Sequence, residues 1–192
     1  PFRIIGLEKE VLHTLPISLE NGKIVQIQMG GRIDRIDEKA GAIIVKDYKT
    51  GGTPEKFNSI STIFEMGQSK FQYNRQILLY AYLFAKQEEK SNIKASIIYL
   101  NAEESKQKNS FDEDSTINNH IDEIEGEIKM VVNLFNSGKL TAEDTASELL
   151  SLNCKPKMIS NVTGLSENKI NKIKNQKKNQ MLKKKNLKTL VS

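Results

Sequence analysis

The chain has 192 residues, 38% of them hydrophobic and 28% charged, which suits one soluble domain with an appendage. No run approaches the roughly 18 apolar residues of a membrane span, Pro1-Phe2-Arg3-Ile4-Ile5 carries no apolar signal-peptide core, and a lone Cys154 excludes an intramolecular disulfide and a cysteine-ligated zinc or iron–sulfur centre. The net charge of +5 is misleading, because 11 lysines and one acid, Glu167, lie between Lys155 and Ser192, so everything before them is net negative.

A reducing, cytoplasmic compartment is the natural reading of the cysteine content, and the opening Pro1 reads as the start of an excised or processed segment. Residues 7–17 and 23–36 mix apolar and polar positions with β-branched content, and both read as strands joined by a turn at Glu20-Asn21-Gly22. Gly30-Gly31 marks a bulge or a close backbone approach in the second strand. A turn is expected over 37–41, with Asp37 as a turn residue. Residues 42–49 (AIIVKDYK) are a short apolar run with the character of a buried strand. These three form an antiparallel meander. Residues 55–67 are ambiguous. From Lys70 to Glu89, Ile77, Leu78, Tyr80, Ala81, Leu83 and Phe84 recur at helical spacing. Residues 94–100 read as a strand and 101–116 as a polar loop. A helix over 117–137 carries Ile121, Ile124, Ile128, Val131, Val132 and Phe135 on its inner stripe, and Asn136-Ser137-Gly138 ends it. Three short helical patterns follow at about 142–152, 155–162 and 166–176, with a break at Thr163-Gly164 and Ser166 as an N-cap. The segment 177–192 is Lys-rich and reads as a flexible tail or a loosely formed helix.

Three short pieces carry chemistry: Gly31-Arg32-Ile33-Asp34, Asp47-Tyr48-Lys49-Thr50-Gly51, and Gln76 with Tyr80 four residues on. Asp47 and Lys49, two apart on a strand, face the same side. Asp34 on the preceding strand reaches the same cleft if the register allows. Two carboxylates meeting at one point repel unless a cation lies between them, and hard oxygen ligands suit Mg²⁺. Lys49 would then hold an attacking water and offset charge developing on phosphorus. Tyr80 also fits plain packing, and Arg32 and Arg35 fit either phosphate contact or pairing with acids. His13, His120 and Cys154 read as ordinary structural residues.

These pieces resemble the PD-(D/E)XK nuclease superfamily, in particular its RecB/AddB-type exonuclease branch, over about residues 7–102. The resemblance implies an α/β restriction-endonuclease-like fold, a central mixed sheet flanked by helices, with the core at 1–138. It implies Asp34 and Asp47 as metal carboxylates, the Tyr48 carbonyl as a further ligand and Lys49 as the catalytic lysine. Gln76 and Tyr80 would position the site or the strand being cut. It also implies Mg²⁺, with Mn²⁺ as a substitute, DNA as substrate and a helicase domain or subunit as partner. Members of that branch carry an upstream helix that completes the metal site. Here it is expected to be missing, with Glu8, Glu10 and His13 the early candidates to replace it. The appendage at 139–176, through Met158–Ser166 and the basic stretch after it, is similar to the helix–turn–helix ending of Rpn-type, transposase-like nucleases. That likeness implies DNA contact. With Arg32 and Arg35, the candidate DNA-binding residues are Lys177, Lys178, Lys183, Lys184 and Lys185. The rival reading is a nuclease fold that binds DNA without cutting it.

Overall fold

The computed structural model describes residues 1–19, 22–51, 59–64, 69–101, 117–152 and 154–190, with the side chains of the last stretch described through Asn179. The expected turn at Glu20-Asn21, most of the ambiguous stretch 55–67 and the loop after Asn101 lie outside the described residues.

The two strand-like stretches near the start form a long hairpin. Strand β1 (Arg3–Ser18) pairs antiparallel with β2 (Ile24–Lys39), from Arg3 opposite Glu38 to Ser18 opposite Ile24. Both strands are longer than the sequence pattern suggests. Strand β3 (Ala42–Lys49) returns antiparallel to β2 across a two-residue turn. Ala40 and Gly41 both take positive φ there, 49° and 79°, the mirror-image turn whose twist matches that of the flanking strands.

Asp37 is not in that turn. It lies in β2 opposite Ile44 and is 1% exposed. Arg35, two residues earlier, and Lys46 on β3 project from the same side of the sheet. Arg35 Nε and Lys46 Nζ donate to the two carboxylate oxygens at 2.7 and 2.6 Å. Burial works against the charge, but the hydrogen bonds from Arg35 and Lys46 prevail and hold the Asp37 carboxyl below the usual range.

Strand β4 (Ile93–Tyr99) joins β3 in parallel, so the sheet order is β1-β2-β3-β4. A parallel neighbour needs a crossover. Here it runs through α1 (Ile60–Phe64) and α2 (Gln72–Glu88). Helix α2 is apolar nearly all round: Ile77, Leu79, Ala81, Tyr82 and Leu83 are completely buried. One side lies on the sheet and the other meets the remaining helices, which explains why its pattern is broader than a surface helix needs. Helix α3 (Ile121–Asn136) buries Ile124, Ile128, Val131 and Val132 as its stripe predicts, and Gly138 at φ 73° ends it.

Three helices complete the chain: α4 (Ala142–Ser151), α5 (Pro156–Thr163) and α6 (Glu167–Leu190). Thr141 caps α4 by accepting the Asp144 amide, Pro156 occupies the first turn of α5, and Ser166 accepts the Lys169 amide at 3.3 Å. The segment from Lys177 continues α6 to Leu190, the helical alternative of the two that the sequence offers. Ile170, Ile173 and Lys177 fall at i, i+3 and i+7 on one face, which seats the helix on α4 and α5. The Lys177 ammonium donates to the Ser147 carbonyl at 2.6 Å and to Ser151 Oγ at 2.7 Å, and Lys169 pairs with Glu143. Between α4 and α5 the chain touches the sheet: Cys154 forms an antiparallel bridge with Met29, and the Lys155 amide donates to the Gln28 carbonyl at 3.2 Å. The architecture is α/β, a mixed four-stranded sheet with helices and a set of C-terminal helices. Among the described residues no helix is long and apolar enough to cross a membrane.

Candidate active site

The β2–β3 ladder runs from Lys39 opposite Ala42 to Arg35 opposite Lys46 and stops. One step further along each strand stand Asp34 and Asp47. Opposed residues of an antiparallel pair face the same side, and so do residues two apart. Ile36 and Val45, an opposed pair at 1% and 0% exposure, face α2. Asp34 and Asp47 therefore share the α2 side of the sheet. The strands part at this point because the Asp34 carboxylate takes a ladder position: its Oδ2 accepts the Tyr48 amide at 2.8 Å. In an extended strand the amide and carbonyl of one residue point to the same edge. The Tyr48 carbonyl thus faces the gap that holds Asp34, while the Lys49 carbonyl accepts the Leu100 amide on the opposite edge.

Lys49 lies two residues beyond Asp47, and its Nζ is 2.5 Å from Asp47 Oδ2. The same ammonium donates to Gln76 Oε1 at 2.9 Å and sits 4.8 Å from the centroid of the Tyr73 ring. Gln76 Nε2 donates to the Tyr80 hydroxyl at 2.8 Å, one helical turn on. The Tyr80 ring lies against Gly31: a Cβ at that position would stand 2.3 Å from Tyr80 Cε1. This is the close approach that Gly30-Gly31 predicts, and it explains why the residue three before Asp34 lacks a side chain. Four of the five candidate catalytic residues, Asp47, Lys49, Gln76 and Tyr80, form one connected chain. Asp34 joins through the Tyr48 amide.

The electrostatics of this corner oppose its own charges. Asp47 is 3% exposed. Burial pushes its carboxyl up, the Lys49 ammonium pulls it down, and nearby Asp34 pushes it up again; the net shift is upward. Oδ2 has the close Lys49 contact but no hydrogen bond of normal geometry among the described residues. Burial, then the charges of Asp47 and Asp34, raise the Tyr80 phenol against a lowering from Gln76, so its hydroxyl stays protonated and fixes the Gln76 amide. A buried carboxylate oxygen without a full set of partners, a second carboxylate beside it and a main-chain carbonyl aimed into the same gap form an all-oxygen donor set that fits a small hard cation. Among the described residues no cluster of three His, Cys, Asp or Glu side chains occurs. Glu8 pairs with Arg32 at 2.9 Å, and His13 lies edge-on against Tyr82.

The candidate DNA-binding residues are scattered. Arg32 is engaged with Glu8, and Arg35 with Asp37 on the face of the sheet opposite Asp34. Lys177 bonds inward to α4, so its ammonium is a tether for α6 and not a free surface cation. Burial lowers its pKa against the pull of Glu148. Lys178 is exposed, and the side chains of Lys183, Lys184 and Lys185 lie outside the described residues. Tyr73 is the site residue that the sequence reading passed over. Its signal was spacing, since a tyrosine three residues before Gln76 stands on the same helix face.

A family model for the PD-(D/E)XK nuclease superfamily matches residues 1–156. No curated protein and no solved structure matches the chain. The matched span takes in Gly31, both aspartates, Lys49, Gln76 and Tyr80, and it runs through the bridge that Cys154 makes with β2. With most of its length inside that match and the diagnostic residues gathered at one end of β3, the chain belongs to the PD-(D/E)XK nuclease superfamily.

Proposed function

We propose that the chain is a Mg²⁺-dependent deoxyribonuclease of the RecB/AddB exonuclease type, with Mn²⁺ able to substitute, acting in recombination, repair or defence beside a helicase domain or subunit. The observation that carries this reading is the corner where Asp34, Asp47 and the Tyr48 carbonyl face one gap while Lys49 is held at its edge. Those three oxygen donors would hold the cation, which when bound supplies Lewis-acid charge to the phosphoryl oxygens.

The chain's own residues do the rest. Lys49 sits beside Asp47 and presents its N–H donors to the attacking water and to a non-bridging phosphate oxygen. There it offsets negative charge as the new O–P bond forms and the ester O–P bond breaks. Gln76 fixes the direction of that ammonium, and Tyr80 fixes Gln76. The Tyr73 ring closes another side of the lysine and lowers its freedom to swing away. The DYKTG run at 47–51 and the Gln76–Tyr80 spacing support the RecB/AddB assignment within the superfamily.

A second reading draws on the Lys49–Asp47 contact. A lysine that neutralises its own neighbouring carboxylate suits a fold that binds nucleic acid without cutting it. Incubating linear and circular DNA with the protein, with and without Mg²⁺ or Mn²⁺, separates the two. Metal-dependent loss of linear DNA with circular DNA spared supports the exonuclease reading. Intact DNA under every metal condition overturns it in favour of the second.

A further inference from the structure

The outward surface of α6 is chemically one-sided. Ile170, Ile173 and Lys177 form the stripe that seats the helix on α4 and α5. At 3.6 residues per turn, the line opposite that stripe is Asn168, Asn171, Lys172, Asn175 and Asn179, all exposed. Lys178 borders it, also exposed, and no carboxylate follows Glu167 along the helix. Asparagine is a poor choice for an exposed helical position, because its amide competes for the backbone in non-helical conformations. Four on one line weaken the helix unless they bond something outside it. The helix itself is firmly placed: Lys177 and Lys169 are both engaged with α4, which leaves the opposite line facing outward on a fixed support.

Lysine flanks select a polyanion, and side-chain amides select base edges. An asparagine amide offers a donor and an acceptor in one plane, matching N7 and N6 of adenine in the major groove. A helix about 10–12 Å across fits the B-form major groove, about 12 Å wide, whereas the A-form RNA major groove is too narrow for it. We propose that the asparagine line of α6, with Lys172 in it and Lys178 beside it, is a second DNA surface that lies in the major groove of duplex DNA and favours A·T-rich sequence. The proposal rests on the nuclease reading for its substrate class, but it is tested without cleavage.

The test is fluorescence anisotropy of the full chain in EDTA against an A·T-rich DNA duplex, a G·C-rich duplex of the same length and an RNA duplex. Asn171→Ala with Asn175→Ala, and separately Lys172→Ala with Lys178→Ala, are compared with the unaltered chain. Alanine raises helix propensity, so circular dichroism should show α6 intact in both variants. The asparagine variant is expected to lose about tenfold or more of its preference for A·T-rich over G·C-rich duplex while keeping its salt dependence. The lysine variant is expected to weaken on both DNA duplexes alike, with the slope of log affinity against log salt reduced by about 2. Failure to bind either DNA duplex, equal binding to the RNA duplex, or unchanged A·T preference in the asparagine variant would overturn the proposal. If binding behaves as stated and cleavage fails in Mg²⁺ and Mn²⁺, the nuclease reading falls and this surface stands.

Discussion

Replacing Gly31 with alanine asks whether the glycine of β2 and the tyrosine of α2 are one device. The new Cβ would stand 2.3 Å from Tyr80 Cε1 and 3.0 Å from Cζ, where ordinary carbon contacts are about 3.5–4.0 Å. The ring must retreat by more than an ångström. A retreat of that size takes the Tyr80 hydroxyl out of hydrogen-bond range of Gln76, now 2.8 Å away, and frees the amide that directs Lys49. Overpacking of this kind costs about 1–3 kcal/mol. For a chain of this size each kcal/mol moves Tm by about 2–4 °C, so the melt should fall by about 2–12 °C. The diagnostic comparison is the same substitution in a Tyr80→Ala background. With the ring gone the Cβ meets nothing rigid, and Gly31→Ala should be neutral or stabilising by up to about 1 kcal/mol. Thermal melts of the two singles and the double give the coupling directly. An equal drop in both backgrounds would refute the argument, because it would locate the strain somewhere other than Tyr80.

Asp47→Asn should raise the Tm of the metal-free protein. A carboxyl whose pKa rises on folding adds stability below its unfolded pKa and loses that contribution as pH climbs through the raised value, so the ionised group is a liability at pH 7. Removing the charge should raise Tm at neutral pH and change it much less near pH 3, read from melts across pH; a uniform effect would contradict the burial argument. Lys49→Ala should lower cleavage by about 10²–10³ while the melt still shifts upward on adding Mg²⁺, since lysine directs charge and ligates nothing. Wild-type cleavage in that variant would remove lysine from the mechanism. Lys177→Ala should destabilise by about 0.5–2 kcal/mol by removing the two hydrogen bonds that its ammonium donates to the half-buried Ser147 carbonyl and Ser151 hydroxyl. Lys178→Ala, fully on the surface, should stay within about 0.5 kcal/mol, and urea melts showing equal effects would deny the tether.

The parts of the molecule legible in the sequence were those set by local period and local chemistry. β3 is apolar because it is buried in the sheet, and α2 shows helical spacing because it packs on that sheet; both patterns exist before any tertiary contact forms. The grouping of Asp47 with Lys49 follows from strand alternation alone. Asp37 departs from the turn expectation because β2 runs on to Lys39: Arg35, two residues earlier, is a local partner once that strand is extended, and Lys46 becomes one only through the β2–β3 register. Lys177 was read as a surface cation from composition, although its spacing from Ile170 and Ile173 already placed it on the buried stripe of α6. Long apolar stems carry lysines into such positions readily. Arg32 shows the same limit, since its partner Glu8 lies on the neighbouring strand, whereas the pairing of Arg35 with Asp37 follows from strand alternation.

The bridge between Met29 and Cys154 ties together residues 125 positions apart. Closing a loop of that length is an entropic step that local helix and hairpin formation do not assist. The β1–β2 hairpin can form early, because its contacts are near neighbours in sequence. The edge of β2 around Gln28 and Met29 stays bare until α4 has folded and delivered Cys154 and Lys155 to it. During synthesis that edge must wait for more than a hundred further residues to emerge. In that interval it presents unpaired backbone donors and acceptors to any other strand that meets it. The same late contact gives the finished molecule a kinetic latch: an interaction formed after the main barrier slows unfolding more than it speeds folding.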